Sequence, residues 1–115
     1  MPMQDHSYIE ILPTGGPVGL ETIPVLKYSD FCSLMSGMMS SETVHCVLYY
    51  AFPYNSGLKF IAVLADDTSG KFLVFSHEQS SQVTTLDSLT PQILALHLFE
   101  REIHENFGIG FDNHP

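Results

Sequence analysis

Leu58-Lys59-Phe60-Ile61-Ala62-Val63-Leu64-Ala65 decides the fold. It is apolar at every position except Lys59. A half-buried strand alternates apolar with polar residues, so a run apolar on both faces predicts a central strand of a sheet. The segments on either side support this. Thr43 to Tyr54 reads as a strand, with Val44, Cys46, Leu48, Tyr50 and Phe52 spaced to share one face. Asn55-Ser56-Gly57 turns the chain into the central run. Asp66-Asp67-Thr68-Ser69-Gly70 turns it out again, into a third strand over Lys71 to His77. Connections this short join neighbouring strands antiparallel, so the three form a meander.

Upstream, Ser7 to Leu12 alternates as a strand, with Ile9 and Ile11 on one face. Pro13-Thr14-Gly15-Gly16-Pro17 is a turn signal. Leu20 to Leu26 is extended again. Pro24 has no N–H to donate, which makes this segment an edge strand or interrupts it there. Ser29 is placed to cap a helix, and Asp30 suits its first turn. Phe31, Leu34, Met35 and Met38 follow at i, i+3, i+4 and i+7, an apolar helical face suited to core packing. Ser40-Ser41 ends that helix. Glu78 to Thr85 is polar and reads as an exposed loop.

Thr90-Pro91 opens the last helix, with Thr90 as N-cap and Pro91 in the first helical position. Its apolar stripe is Ile93, Leu96, Phe99, Ile103 and Phe107, and Gly108 stands where a left-handed cap belongs. The order strand, strand, helix, three strands, helix predicts a single α+β domain over residues 1–115. In it, helices cover one face of a mixed or largely antiparallel sheet of about five strands.

Totals narrow the function. A chain of 115 residues holds one domain. Its net charge of −9, from 13 acids against 4 bases, repels phosphate backbones and anionic lipid surfaces. No apolar run approaches the ~20 residues of a membrane span, and the start does not read as a signal peptide, so a soluble cytoplasmic protein is the default. Cys32 and Cys46 read as buried small hydrophobes, with no Cys-x-x-Cys to hold a cluster or a four-thiolate zinc. The six histidines include no His-x-x-x-His pair, and no local pattern marks a nucleophile.

The last helix carries ordered charge. His97, Glu100, Arg101, His104 and Glu105 lie largely off the apolar stripe. Glu100 with His104, and Arg101 with Glu105, stand at i,i+4 as on a solvated face. Glu102 falls on the side of Ala95 and Leu98, where partial burial would require a donor for its carboxylate.

Glu100-Arg101-Glu102, Glu105, Phe107-Gly108-Ile109, Phe111 and His114-Pro115, with Ser88-Leu89-Thr90 upstream, resemble the signature of the C-subunit (thirty-kilodalton) family of respiratory complex I. The resemblance runs from Ser88 to Pro115. It departs from complex I members at Leu98, where they carry Trp, at Leu94-Ala95-Leu96, where they carry Pro-Ala-Ala, and at Asn113, where they carry Gly. Phe99 to Glu105 is more similar to the related domain of formate-hydrogenlyase-type membrane-bound nickel–iron hydrogenases. That domain is often fused ahead of the large subunit.

The resemblance implies a non-catalytic subunit of a multisubunit, membrane-associated oxidoreductase, held on the cytoplasmic face by its partners. Those partners are the hydrogenase or dehydrogenase large subunit and the small iron–sulfur subunit. Iron–sulfur clusters and a nickel–iron centre or flavin are expected in them, and no cofactor in this chain. The interface is expected at Glu100, Arg101, Glu102, Glu105, Phe107, Gly108, Phe111, His114 and Pro115. Phe107 to Pro115 is then expected on the surface with exposed apolar groups, and His114-Pro115 leads onto the partner. The chain is either a short separate subunit or one domain of a longer product. The competing reading is a free-standing domain that binds a small ligand or catalyses a simple reaction in a pocket lined by His and Tyr.

Overall fold

A computed structural model describes residues 7–14, 19–80, 85–88 and 96–112. In chain order the elements are β1 (Ile9–Ile11), a 3-10 turn (Leu20–Thr22), β2 (Val25–Leu26), α1 (Tyr28–Met39), β3 (Val44–Tyr54), β4 (Gly57–Asp66), β5 (Lys71–Ser80), β6 (Thr85–Asp87), α2 (His97–Phe107) and β7 (Gly110–Asp112). The main sheet has five strands. β3, β4, β5 and β1 run side by side and antiparallel, and β2 adds a two-residue parallel pairing to β5. The predicted α+β architecture and the meander are both present, and β4 lies between β3 and β5 as its two-sided apolarity required.

Alternation along β4 sorts the core. Phe60, Ala62 and Leu64 face the helices, together with Leu73 and Phe75 of β5. Phe31 and Met35 of α1 and Leu96 and Ile103 of the last-helix segment close over them. Ile61, Val63 and Val74 face the other way, and Ile23 packs there. Lys59, the one polar residue in the apolar run, is 2% exposed. Its Nζ donates to Glu78 Oε2 across the sheet at 3.0 Å and lies 5.0 Å from the Tyr54 ring centre. The buried charge thus has both an ion partner and an aromatic face.

Several expectations change. The uniform face expected in β3 is broken by a bulge. Cys46 pairs with Leu64 and Leu48 with Val63, which leaves Val47 as the extra residue. Val44 and Cys46 therefore lie on the helix side with Tyr49 and Ala51, while Tyr50 and Phe52 turn to the opposite face. One inserted residue reverses a period of two.

Leu20 to Leu26 is a 3-10 turn followed by two strand residues. The pairing begins only after Pro24, whose carbonyl accepts from both the backbone N–H and the Oγ of Ser76. α1 starts at Tyr28, with Lys27 in the cap position and no side-chain cap bond, so Ser29 does not cap it. The helix starts two residues earlier than the expected cap would place it, with its first bond from Phe31 N–H to the Lys27 carbonyl, and Tyr28 in its first turn packs on Phe31 and His77.

Of the loop expected over Glu78 to Thr85, Glu78 to Ser80 continue β5 in pairing with β4 and Thr85 belongs to β6, while 81–84 lie outside the described residues. β6 and β7, which the sequence did not suggest, form a parallel pair of their own. Thr90, Pro91 and Ile93 lie outside the described residues.

The β3–β4 hairpin closes through Asn55 (φ 46°) and Ser56 (φ 66°), both left-handed, which matches the twist of a two-residue hairpin. Gly57 follows for another reason. A Cβ there would stand 2.1 Å from the Gln79 carbonyl oxygen, and backbone cannot yield as a side chain does. Gly57→Ala is expected to destabilise the fold by about 1–3 kcal/mol. A urea titration checks this, and an unchanged midpoint would show that the hairpin end opens freely.

Candidate functional site

α2 carries every described residue of the expected interface except Gly108 and Phe111. At about 100° per residue its sides separate cleanly. Phe99, Ile103 and Phe107 face the core. Leu98, Arg101, Glu102 and Glu105, at i, i+3, i+4 and i+7, lie on the opposite side, and all four are exposed. Leu98 is 70% exposed, the most exposed large apolar residue among the described residues.

Glu100 does not join that outward side. It is fully buried, and Ser88 Oγ donates to its Oε1 at 2.5 Å. Helical geometry explains the correction, since Glu100 stands only ~60° from Ile103 and ~20° from Phe107 around the axis. Glu102, expected to be partly buried, is exposed because it shares the Leu98 side. The i,i+4 pairs of the charged face are also absent among the described residues. Glu100 bonds Ser88, Arg101 makes no ion pair with Glu105, and His104 turns to the chain end.

That chain end is tightly built. Gly108 adopts φ 72°, and its N–H donates to the His104 carbonyl at 2.8 Å, the expected left-handed cap. His104 Nδ1–H donates to the Ile109 carbonyl at 2.8 Å. Ile109 is buried, and Phe107 and Phe111 pack half-buried against the helix-side core. The expected run of exposed apolar groups beyond Phe107 is therefore absent over 107–112. Pairing of β7 with β6 draws these residues inward. His114 and Pro115 lie outside the described residues.

Ser88 ties these parts together. Its N–H donates to the Asp112 carbonyl at 2.9 Å while its hydroxyl holds Glu100. One residue joins β6, β7 and α2. The spacing from Ser88 to Glu100 read in the sequence is thus an internal hydrogen bond.

Around Glu100 lies a polar cluster that sequence reasoning missed. Tyr49 is buried, and its hydroxyl has no hydrogen bond of good geometry among the described residues. Burial first, then the nearby Glu100, holds that hydroxyl well above the ordinary tyrosine range, partly offset by Tyr28. Tyr28 is raised by burial and then by its neighbours Tyr49, Cys32 and Glu100. Burial likewise pushes the Cys46 thiol up from 9.0 to about 11, opposed by its backbone contact with Leu48. No signal in the sequence announced this cluster, because Tyr49 reaches the helix side only through the shift of register between Cys46 and Leu48.

These groups keep their protons in the fold when the unfolded chain would lose them. For Cys46 the stability is full below about pH 9 and is lost as pH rises through about 11. Tyr28 and Tyr49 act in the same direction at higher pH. Thermal melts between about pH 8 and about pH 11 should show a falling midpoint. A Cys46→Ala variant should lose part of that slope. A flat profile would contradict the buried, neutral state of the cluster.

No three His, Cys, Asp or Glu side chains converge as a metal site among the described residues. No helix there is long and apolar enough to cross a membrane. The family model described as respiratory-chain NADH dehydrogenase, 30 Kd subunit, matches residues 22–115. The chain belongs to this family. No curated protein matches it. The family match begins in the 3-10 turn and takes in α1, the whole meander, Ser88 and α2. It therefore covers the 30 Kd-subunit core and the helix with its outward charged face. Family membership makes the chain a relative of a subunit of a respiratory oxidoreductase complex.

Proposed function

We propose that this 30 Kd-subunit relative is a non-catalytic assembly subunit that docks the catalytic large subunit and the small iron–sulfur subunit of a membrane-associated oxidoreductase. The observation that carries the reading is the division of labour in α2. Its inner side is locked by the buried Ser88–Glu100 bond and its end by Gly108 and His104. Its outer side presents Arg101, Glu102 and Glu105. A helix held this firmly from behind offers a pre-ordered surface, and pre-ordering lowers the entropic cost of association.

Electron transfer belongs to the partners in this reading. Their iron–sulfur clusters, with a nickel–iron centre or flavin, supply the redox chemistry, and the chain sits on the cytoplasmic side of the membrane through them. Leu98 in place of the family's Trp, and the run Phe99 to Glu105, favour the hydrogenase branch over a quinone-reducing dehydrogenase.

The test is purification of the tagged chain from its native host, with subunits identified by mass spectrometry. Recovery of hydrogenase-type or dehydrogenase-type large and iron–sulfur subunits is expected. Recovery of the chain alone would end the assembly reading. Arg101→Ala should cost at most about 1 kcal/mol of stability, as exposed charges do, and should weaken retention of those subunits several-fold. Equal large losses in both would make Arg101 a folding residue.

A further inference from the structure

We propose that the outward face of α2 seats in an apolar pocket of a partner subunit, with Leu98 inserted and the pocket rim carrying Lys or Arg side chains. The proposal rests on the assembly reading above and names the chemistry of the partner surface.

Leu98 lies opposite the buried stripe, so no movement within the helix brings it into the core. Single exposed apolar residues are common on protein surfaces. This one differs in its setting. Arg101, Glu102 and Glu105 flank it at i+3, i+4 and i+7, and none of the three forms an ion pair among the described residues. An apolar centre with a charged surround is the layout of an interface, where the centre is desolvated and the rim stays wet.

Charge complementarity fixes the occupant. The exposed face carries two carboxylates against one guanidinium, on a chain of net charge −9. A second copy of this chain would bring acid against acid. A basic rim satisfies Glu102 and Glu105, and a single partner carboxylate satisfies Arg101. The same sign excludes an anionic lipid surface.

The experiment uses the tagged chain in its native complex. Leu98→Asp should lower recovery of the partner subunits by at least about tenfold. The double variant Glu102→Lys with Glu105→Lys should lower recovery comparably. Recovery by the native chain should fall as salt is raised. Leu98→Met should retain the partners, as should Ser33→Asp on the exposed side of α1. Circular dichroism melts matching the native chain exclude unfolding as the cause.

Should Leu98→Asp fail to fold, a photo-crosslinking amino acid at position 98 decides. An adduct to a partner peptide bearing apolar and Lys or Arg residues supports the proposal. An adduct to a second copy of this chain overturns it, as does no adduct in a complex that still forms. Native-level recovery with Leu98→Asp also overturns it while leaving the assembly reading standing. Failure of the native chain to bring down any such subunit defeats the assembly reading itself.

Discussion

Replacing Glu100 with alanine is expected to unfold part of what holds the last helix and to destabilise the domain by about 1.5–3 kcal/mol from the lost charged hydrogen bond alone. Glu100 is wholly buried, and its carboxylate accepts from Ser88, the residue that also binds β7 through its backbone. Removal deletes the bond from the Ser88 hydroxyl to the carboxylate and opens space near Tyr49 and Tyr28. Ser88→Ala should act through the same bond by leaving a buried carboxylate short of a donor. The double variant should therefore lose less than the sum of the two single losses. Urea titrations of the four proteins measure this coupling. Strict additivity would mean that the bond contributes nothing, and that Glu100 is buried for another reason. An exposed residue on a solvated helix, as the charge pattern first suggested for Glu100, would cost almost nothing to replace.

Phe31→Ala is expected to cost about 3–5 kcal/mol, the usual range for a large aromatic removed from a closed core. The Phe31 ring lies 5.1 Å from Phe75, 5.7 Å from Tyr49, 6.1 Å from Tyr28 and 6.2 Å from His77, measured between ring centres. It thus links α1 to β3 and β5 at once. The same loss should loosen β2, because His77 both packs on Phe31 and donates its Nδ1–H to the β2 carbonyl of Leu26 at 2.9 Å. Hydrogen exchange at Leu26 and His77 should quicken in the variant beyond what global destabilisation explains. Unchanged relative protection there would show that β2 is held by its Ser76 and Pro24 contacts alone.

Much of the fold was legible because it rests on local pattern. The two-sided apolarity of β4, the i, i+3, i+4, i+7 face of α1 and the glycine after α2 each state a short-range requirement. The structure meets all three. The misreadings fall where a residue's role depends on a neighbour distant in sequence. The face of β3 reverses at a bulge that neither Val47 nor Leu48 announces. Ser29 is not the cap: the helix starts two residues earlier, and Tyr28 in its first turn packs on His77 of β5. Glu100 shares the chemistry of the exposed charges, but its angle on the helix, ~20° from Phe107, sets it on the core side.

The candidate site divides the same way. Ser88-Leu89-Thr90 and Glu100-Arg101-Glu102 carry the resemblance to the thirty-kilodalton family, and the family match over residues 22–115 takes in both. The spacing did not separate the buried acid from the exposed one beside it. Leu98 first stood out as a departure from a pattern, and the structure makes it the apolar centre of the outward face.

By itself, then, the sequence determined the class of fold, the central place of β4, the turn of the β3–β4 hairpin and the glycine cap that ends α2. Each of these is written in periodicity, turn chemistry or spacing along a short run of chain. Only the tertiary structure decided which charges of α2 are working parts of the core and which face outward. Burial is a property of what packs around a side chain, and the groups beside Glu100 are Tyr28 of α1 and Tyr49 of β3, far from it in sequence, with Ser88 just after β6.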